Sequence, residues 1–236
     1  MADRTHIEWT DATWNPITGC SIVSPGCTNC YAMRLAGTRL KHTPSRAGLT
    51  KDSKAGPVWT GEVRFNRKSL DQPLRWKRPR KIFPCAHGDL FAEDVPDEWI
   101  DQVFAVMALS QQHIFQVLTK REKRMRRYLS DPATIRRVYG LVFDMVIERN
   151  LYVALIAPGI DERQAPPAPR IYLDRWPLPN VWLGVSAEDQ KRADERIPDL
   201  LATPAAVRFV SAEPLLGPID FTTIDAGFRD GTRLTF

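Results

Sequence analysis

The stretch KIFPCAHGDLFAEDVPDEWIDQVFAVM, residues 81–107, decides how the rest of the chain is read. Lys81 to Cys85 has the β-prone character of a strand, and Pro84, which cannot donate to a ladder, suits the end of one. A turn with Gly88 and Asp89 follows. Pro96 then opens a helix in its first turn, with Asp97 and Glu98 beside it where acidic groups favour a helix N-terminus. Ile100, Val103, Phe104 and Met107 keep the i, i+3, i+4, i+7 spacing of one apolar helix face. The stretch is one strand-loop-helix unit.

The same unit recurs outward from it. Residues 113–118 (HIFQVL) form a strand closed by Thr119-Lys120, and the basic segment to Leu129 is the following helix. Residues 180–186 (NVWLGVS) form another strand, with a helix around Ala193, Ile197, Leu200 and Leu201, and residues 206–211 (AVRFVS) form the last clear strand. Toward the N-terminus, TWNPITG (13–19) reads as a short strand running into Cys20. About five strands alternating with helices imply parallel strands joined by right-handed crossovers. The fold class is therefore α/β: a barrel, a partial barrel or an open doubly wound sheet.

Between these units, a helix begins near Tyr31, residues 41–61 are polar and irregular, and residues 131–150 form an additional helix. Residues 157–179 hold six prolines and read as an irregular insertion. A chain of 236 residues that is 43% hydrophobic buries one core of this size, so the expectation is one domain over 1–236 with an insertion at about 130–179. No stretch approaches the roughly 18 to 20 apolar residues of a membrane helix, and the N-terminus lacks a signal-peptide pattern. The expected location is the cytoplasm.

The formal net charge of +5 is unevenly placed: eight Lys or Arg fall between Arg64 and Lys81 against one acid, Asp71. A second run comprises Lys120, Arg121, Lys123, Arg124, Arg126 and Arg127. Such clusters attract phosphate backbones by counterion release, which makes nucleic acid a candidate partner; a solvated helix face is the plainer reading.

Four cysteines, three of them within eleven residues, do not make a disulfide framework in a reducing compartment. Cys20, Cys27 and Cys30 have the spacing C-x6-C-x2-C, and the Pro25-Gly26 turn folds the intervening residues so that three sulfurs can converge. Three thiolates on a [4Fe-4S] cluster leave one iron open. A structural zinc site wants a fourth ligand, available only from His6, Cys85 or His87, far along the chain. Cluster, zinc site and unligated thiols all remain open at this point.

Several blocks carry a resemblance: IEWTDATWNPITGC, SPGCTNCYA, WTGEVRFNRKSLDQPLRWKRPRKIF, GDLFAEDVP, FQVLTKR, NVWLGVSAEDQ and RFVSAEPLLGPID, in order from Ile7 to Asp220. In these the chain resembles the phage-associated three-Cys-motif family, whose genes often neighbour the three-Cys-motif partner protein TcmP and whose members look like radical S-adenosylmethionine (SAM) enzymes. The resemblance implies a partial (β/α) barrel of the radical SAM type and a [4Fe-4S] cluster on Cys20, Cys27 and Cys30. It also implies SAM on the fourth iron, reductive cleavage to a 5′-deoxyadenosyl radical, and an external reductant. The substrate is unknown, with nucleic acid a candidate, and a three-Cys-motif partner protein is a candidate partner. The alternative function is a non-catalytic iron-sulfur or zinc protein that binds nucleic acid.

In parallel α/β folds ligands sit beyond the carboxyl ends of the strands. The candidate cofactor-binding residues are therefore Gly88, Asp89 and Glu93, then Thr119 and Lys120, then Ser186 and Glu188, then Ser211 and Glu213. By the resemblance, Gly88-Asp89 lies where SAM's amino group is held, and Lys120 holds its carboxylate. The plainer reading of Asp89, Glu188 and Glu213 is helix capping or loop hydrogen bonding. Trp9, Trp14 and Tyr31 flank the cysteine loop as shields or core residues, Cys85 reads as a buried small residue, and His87 and His113 as structural or exposed.

Two features depart from the family pattern. The commoner spacing is C-x3-C-x2-C, often with an aromatic where Asn29 stands. After residue 220 the tail TTIDAGFRDGTRLTF is polar and unpatterned, so the expected barrel lacks its closing strand, as in a shortened or truncated chain, with a sheet edge for a partner to cover.

Overall fold

The computed structural model describes residues 5, 7–156, 161, 163, 168, 170–172, 175–229 and 232–235. Its centre is a five-stranded parallel sheet: β1 (Ala12–Trp14), β2 (Lys81–Pro84), β3 (Ile114–Thr119), β4 (Val181–Ser186) and β5 (Val207–Ser211), lying side by side in chain order. Because every connection steps the same way across the sheet, right-handed crossovers carry the connecting helices to one face. The longer helices are α1 (Tyr31–Gly37), which packs apart from the main core against Leu49 and Trp59, and α2 (Asp97–Leu109), α3 (Glu122–Ser130), α4 (Pro132–Glu148) and α5 (Gln190–Ala202); Arg67–Leu70 and Gln72–Arg75 are single helical turns.

The period-2 alternation of the strands sorts their side chains. Trp14, Ile82, Phe115, Val117, Leu183 and Val185 point to the helix side, where they are buried in one core with Ile100, Val103, Phe104 and Met107 of α2. Phe83, Leu118, Gly184 and Phe209 occupy the other face. Gly184 is required there: a Cβ would lie 2.5 Å from the Phe209 ring. The indole of Trp9 sits over this face, 4.8 Å from the Phe83 ring and 6.3 Å from the Phe209 ring. Phe83 is on β2 and Phe209 on β5, three strand spacings apart, which in a flat sheet is about 14 Å. One indole spanning both rings is the mark of a sheet curled toward Trp9.

Several boundaries differ from the sequence reading. The strand expected over 13–19 is broken by Asn15-Pro16: Ala12–Trp14 joins the sheet, whereas Ile17–Thr18 pairs antiparallel with Arg64–Phe65. Residues 41–61, expected to be irregular, contain a hairpin of Thr50–Ser53 with Gly56–Trp59. The additional helix expected over 131–150 is α4, capped by Asp131, whose side chain accepts from Ala133 N. About half of the expected insertion at 157–179 lies outside the described residues, and within the rest Arg170–Tyr172 pairs with Ala154–Ile156. The tail is patterned after all: Asp225–Arg229 and Thr232–Thr235 form an antiparallel pair, separate from the main sheet. The outer edge of β5 is unpaired among the described residues, and none of their helices is long and apolar enough to cross a membrane.

Candidate cysteine-lined site

The carboxyl ends of the parallel strands share one rim of the sheet, and the loops leaving them enclose a cavity of about 630 Å³, in the size range of small-molecule sites. Cys20, Cys27 and Cys30 all line it. The loop that carries them starts at Gly19, with φ +96°, a conformation that favours glycine. Gly19 N donates to His87 O at 3.1 Å. A Cβ at Gly88 would stand 2.9 Å from Gly19 O, so both glycines serve a close backbone approach. Further on, the single turn Pro25–Cys27 is closed by Cys27 N to Ser24 O at 2.9 Å, and Cys30 N donates to Cys27 O at 3.2 Å.

Two buried ionic groups hold this loop. The first is Arg121, at the end of β3. Its Nη2 donates to the carbonyl and the hydroxyl of Ser21, Nη1 pairs with Asp89 Oδ2 at 3.2 Å, and Nε pairs with Glu93 Oε1 at 3.2 Å. Asp89 is saturated: Oδ1 accepts from Phe91 N and the Thr119 hydroxyl, and Oδ2 accepts from Lys120 N and Arg121. The second is Glu188, fully buried, whose Oε1 accepts from Gly26 N at 3.3 Å and whose Oε2 pairs with Arg196 Nη1 at 2.9 Å. Burial opposes ionisation of Glu188, but the Ser24 hydroxyl, Arg196, Lys120 and Gly26 N–H together keep its carboxyl below the ordinary value. Burial pushes the Cys20 thiol up to about 12, with Asp89 and Cys27 adding to the effect and Arg121 opposing it.

Of the sequence candidates, Gly88, Asp89, Thr119, Lys120, Ser186, Ser211 and Glu213 line the cavity. Lys120 Nζ has no hydrogen-bond or ion-pair partner among the described residues, and Glu213 is exposed. Glu188 is not on the cavity wall; it lies beneath the cysteine loop. Glu93 is exposed and bound to Arg121 and Ser21. Trp9 and Tyr31 line the cavity, whereas Trp14 is core, its indole N–H donating to Ser69 O at 2.7 Å. Cys85 is buried, and so is His113, with its Nε2 3.1 Å from Pro73 O. His6 lies outside the described residues.

The charged runs divide in the fold. Arg121 and Arg124 turn inward onto loop carboxylates and carbonyls, Arg126 pairs with Asp199, and Arg64 donates to Pro44 O and Ala47 O. Lys68, Lys77, Arg78, Lys81, Lys123 and Arg127 are exposed. Arg121, read from sequence only as one cation of a basic run, is the residue that ties the cysteine loop to Asp89; the one local signal for this was its position just past a strand's carboxyl end. No three or more His, Cys, Asp or Glu side chains are gathered at metal-ligating distance among the described residues.

These features define an α/β protein with a cysteine-lined cavity at the carboxyl rim of a curled parallel sheet. A family model described as "Protein of unknown function (DUF5131)" matches residues 4–230, and the chain belongs to that family. Neither the curated proteins nor the solved structures give a match to it.

Proposed function

We propose that the chain is an iron-sulfur protein of the radical SAM type, built on a partial (β/α) barrel, with a [4Fe-4S] cluster on Cys20, Cys27 and Cys30. The observation that carries this reading is that all three cysteines of the C-x6-C-x2-C run face one cavity beyond the carboxyl ends of parallel strands. The donor chemistry fits: three soft thiols suit iron, and three rather than four leave one iron open. When bound, the cluster would supply an electron to SAM and so begin radical chemistry.

The chain's own residues then have distinct tasks. Arg121 and Glu188 hold the loop at two points, Ser21 near its start and Gly26 in its middle. Asp89 keeps Arg121 and the Thr119-Lys120 turn in place and has no lone pair left over for a ligand. Lys120, on the wall and without a side-chain partner among the described residues, suits the SAM carboxylate, and the hydroxyls of Ser186 and Ser211, likewise unpartnered among the described residues, suit polar contacts. Trp9, Phe83 and Leu118 give the inner wall an apolar surface that excludes water. The exposed Lys68, Lys77, Arg78, Lys123 and Arg127 support nucleic acid as a substrate class, the external electron donor being a further partner. The test is product analysis: reduced, reconstituted protein incubated with SAM should yield 5′-deoxyadenosine and methionine, and intact SAM after prolonged reduction would defeat the catalytic reading.

A further inference from the structure

Arg46 is only 8% exposed, and its Nε is buried without a hydrogen-bond partner. The guanidinium makes one hydrogen bond, from Nη1 to Ser45 Oγ, and no ion pair among the described residues. This is an anomaly. A guanidinium does not shed its proton to escape burial as an ammonium can, and a buried charge without a counter-ion is among the costliest arrangements in a protein.

A second orphaned group is tied to the same short segment of chain. His87 Nδ1 is buried and unpartnered. Adjacent residues of one short segment hold the two together: the Thr18 hydroxyl donates to Ser45 O at 2.6 Å, and Gly19 N donates to His87 O at 3.1 Å. The Arg46 charge, after burial, is the second influence holding the His87 ring in its neutral form. The ring is edge-on to Tyr31 at 6.1 Å, and Tyr31, Ala86 and Gly88, which surround His87, all line the cysteine cavity. A second potential donor thus lies just behind the cavity wall, linked through one short segment to a fixed cation, and no carboxylate among the described residues satisfies either.

We propose that Arg46 and His87 form a subsite for an oxyanion, the carboxylate or phosphate group of a small molecule, reached from the cysteine cavity. The guanidinium fork suits either group in bidentate fashion, and a neutral imidazole donates through the nitrogen that carries its proton. The site is separate from Lys120 and needs neither iron nor SAM.

The experiment is thermal unfolding of the full, metal-free chain in inorganic phosphate, acetate or chloride at constant ionic strength, for wild type, Arg46→Met and Arg46→Gln. Wild type should gain several degrees in Tm, saturably, at about 100-fold excess of phosphate or acetate over its Kd. A gain with phosphate alone identifies the phosphate member of the class, and a gain with acetate identifies carboxylates. Arg46→Met should lose the gain and melt no lower than wild type in chloride, since it removes an uncompensated charge. No gain over chloride in wild type, or the same gain in Arg46→Met, overturns the proposal. Should both variants fail to fold, ring NMR of His87 in wild type decides: its shifts move with phosphate or acetate if the site exists, and stay fixed if it does not. Iron content and SAM cleavage do not enter these readouts, so the result stands apart from the cluster assignment.

Discussion

Arg121 Nη2 donates to both the carbonyl oxygen and the hydroxyl of Ser21, at 2.9 and 2.6 Å, one residue past Cys20 and 100 positions away in the chain. Arg121→Ala would cut this tie and leave the buried Asp89 without its counter-ion. Losing one partner of a buried pair costs about 3–5 kcal/mol, and denaturant unfolding should show a loss of that order. Arg121→Lys should recover part of it, because a single ammonium cannot serve Asp89, Glu93 and Ser21 together. A loss under about 1 kcal/mol for Arg121→Ala, the range of a solvated ion pair, would mean the network is not formed.

Gly184 carries no side chain because the Phe209 ring fills that space; a Cβ there would be 2.5 Å from it. Gly184→Ala should therefore destabilise the protein by about 1–3 kcal/mol through overpacking. In the double variant with Phe209→Leu, the combined loss should be smaller than the sum of the single losses. Strict additivity would show that the two residues do not meet on the inner face.

His87 is held neutral by burial, and secondarily by Arg46, so that its folded-state value is about 4 against an ordinary 6.5. The unfolded chain takes up this proton as pH falls below 6.5, while the folded protein does not until about 4. Stability should therefore decline across that window, with a slope from this group of at most about 1.4 kcal/mol per pH unit. Unfolding free energies of wild type and His87→Gln, compared from pH 7 to pH 4, should diverge accordingly. Parallel profiles would show that His87 is not buried neutral.

Burial raises the Cys20 thiol to about 12. In metal-free native protein at pH 8, Cys20 should react with iodoacetamide more than about tenfold slower than in the unfolded chain, since the thiolate is the reactive form. Site-resolved mass spectrometry would follow the labelling. Equal rates in folded and unfolded protein would place Cys20 in solvent.

The sheet was legible because its strands are short apolar runs bounded by turn residues, and because helices such as Asp97–Leu109 repeat their apolar face with the helical period. The hairpin Thr50–Ser53 with Gly56–Trp59 was not legible, since Thr50–Ser53 is mostly exposed and no alternation marks it; backbone pairing makes it. The three cysteines and most of the rim residues were legible from spacing and strand ends. Arg121 was not, because in a run of six cations nothing local marks the one that turns inward; that depends on Asp89, 32 residues earlier. Glu188 was located at the right strand end, but only the hydrogen bond it accepts from Gly26 N shows that it faces the loop from beneath.

The claim on which the account rests is that Cys20, Cys27 and Cys30 together hold a cluster. It is tested most directly by anaerobic reconstitution with iron and sulfide, followed by ultraviolet-visible and EPR spectra of the reduced protein with and without SAM. The account predicts about four irons per chain, a cluster spectrum that shifts on adding SAM, and loss of both in the Cys20→Ala, Cys27→Ala, Cys30→Ala triple variant. Absence of iron in wild type, or the same iron and spectrum in the triple variant, would contradict it.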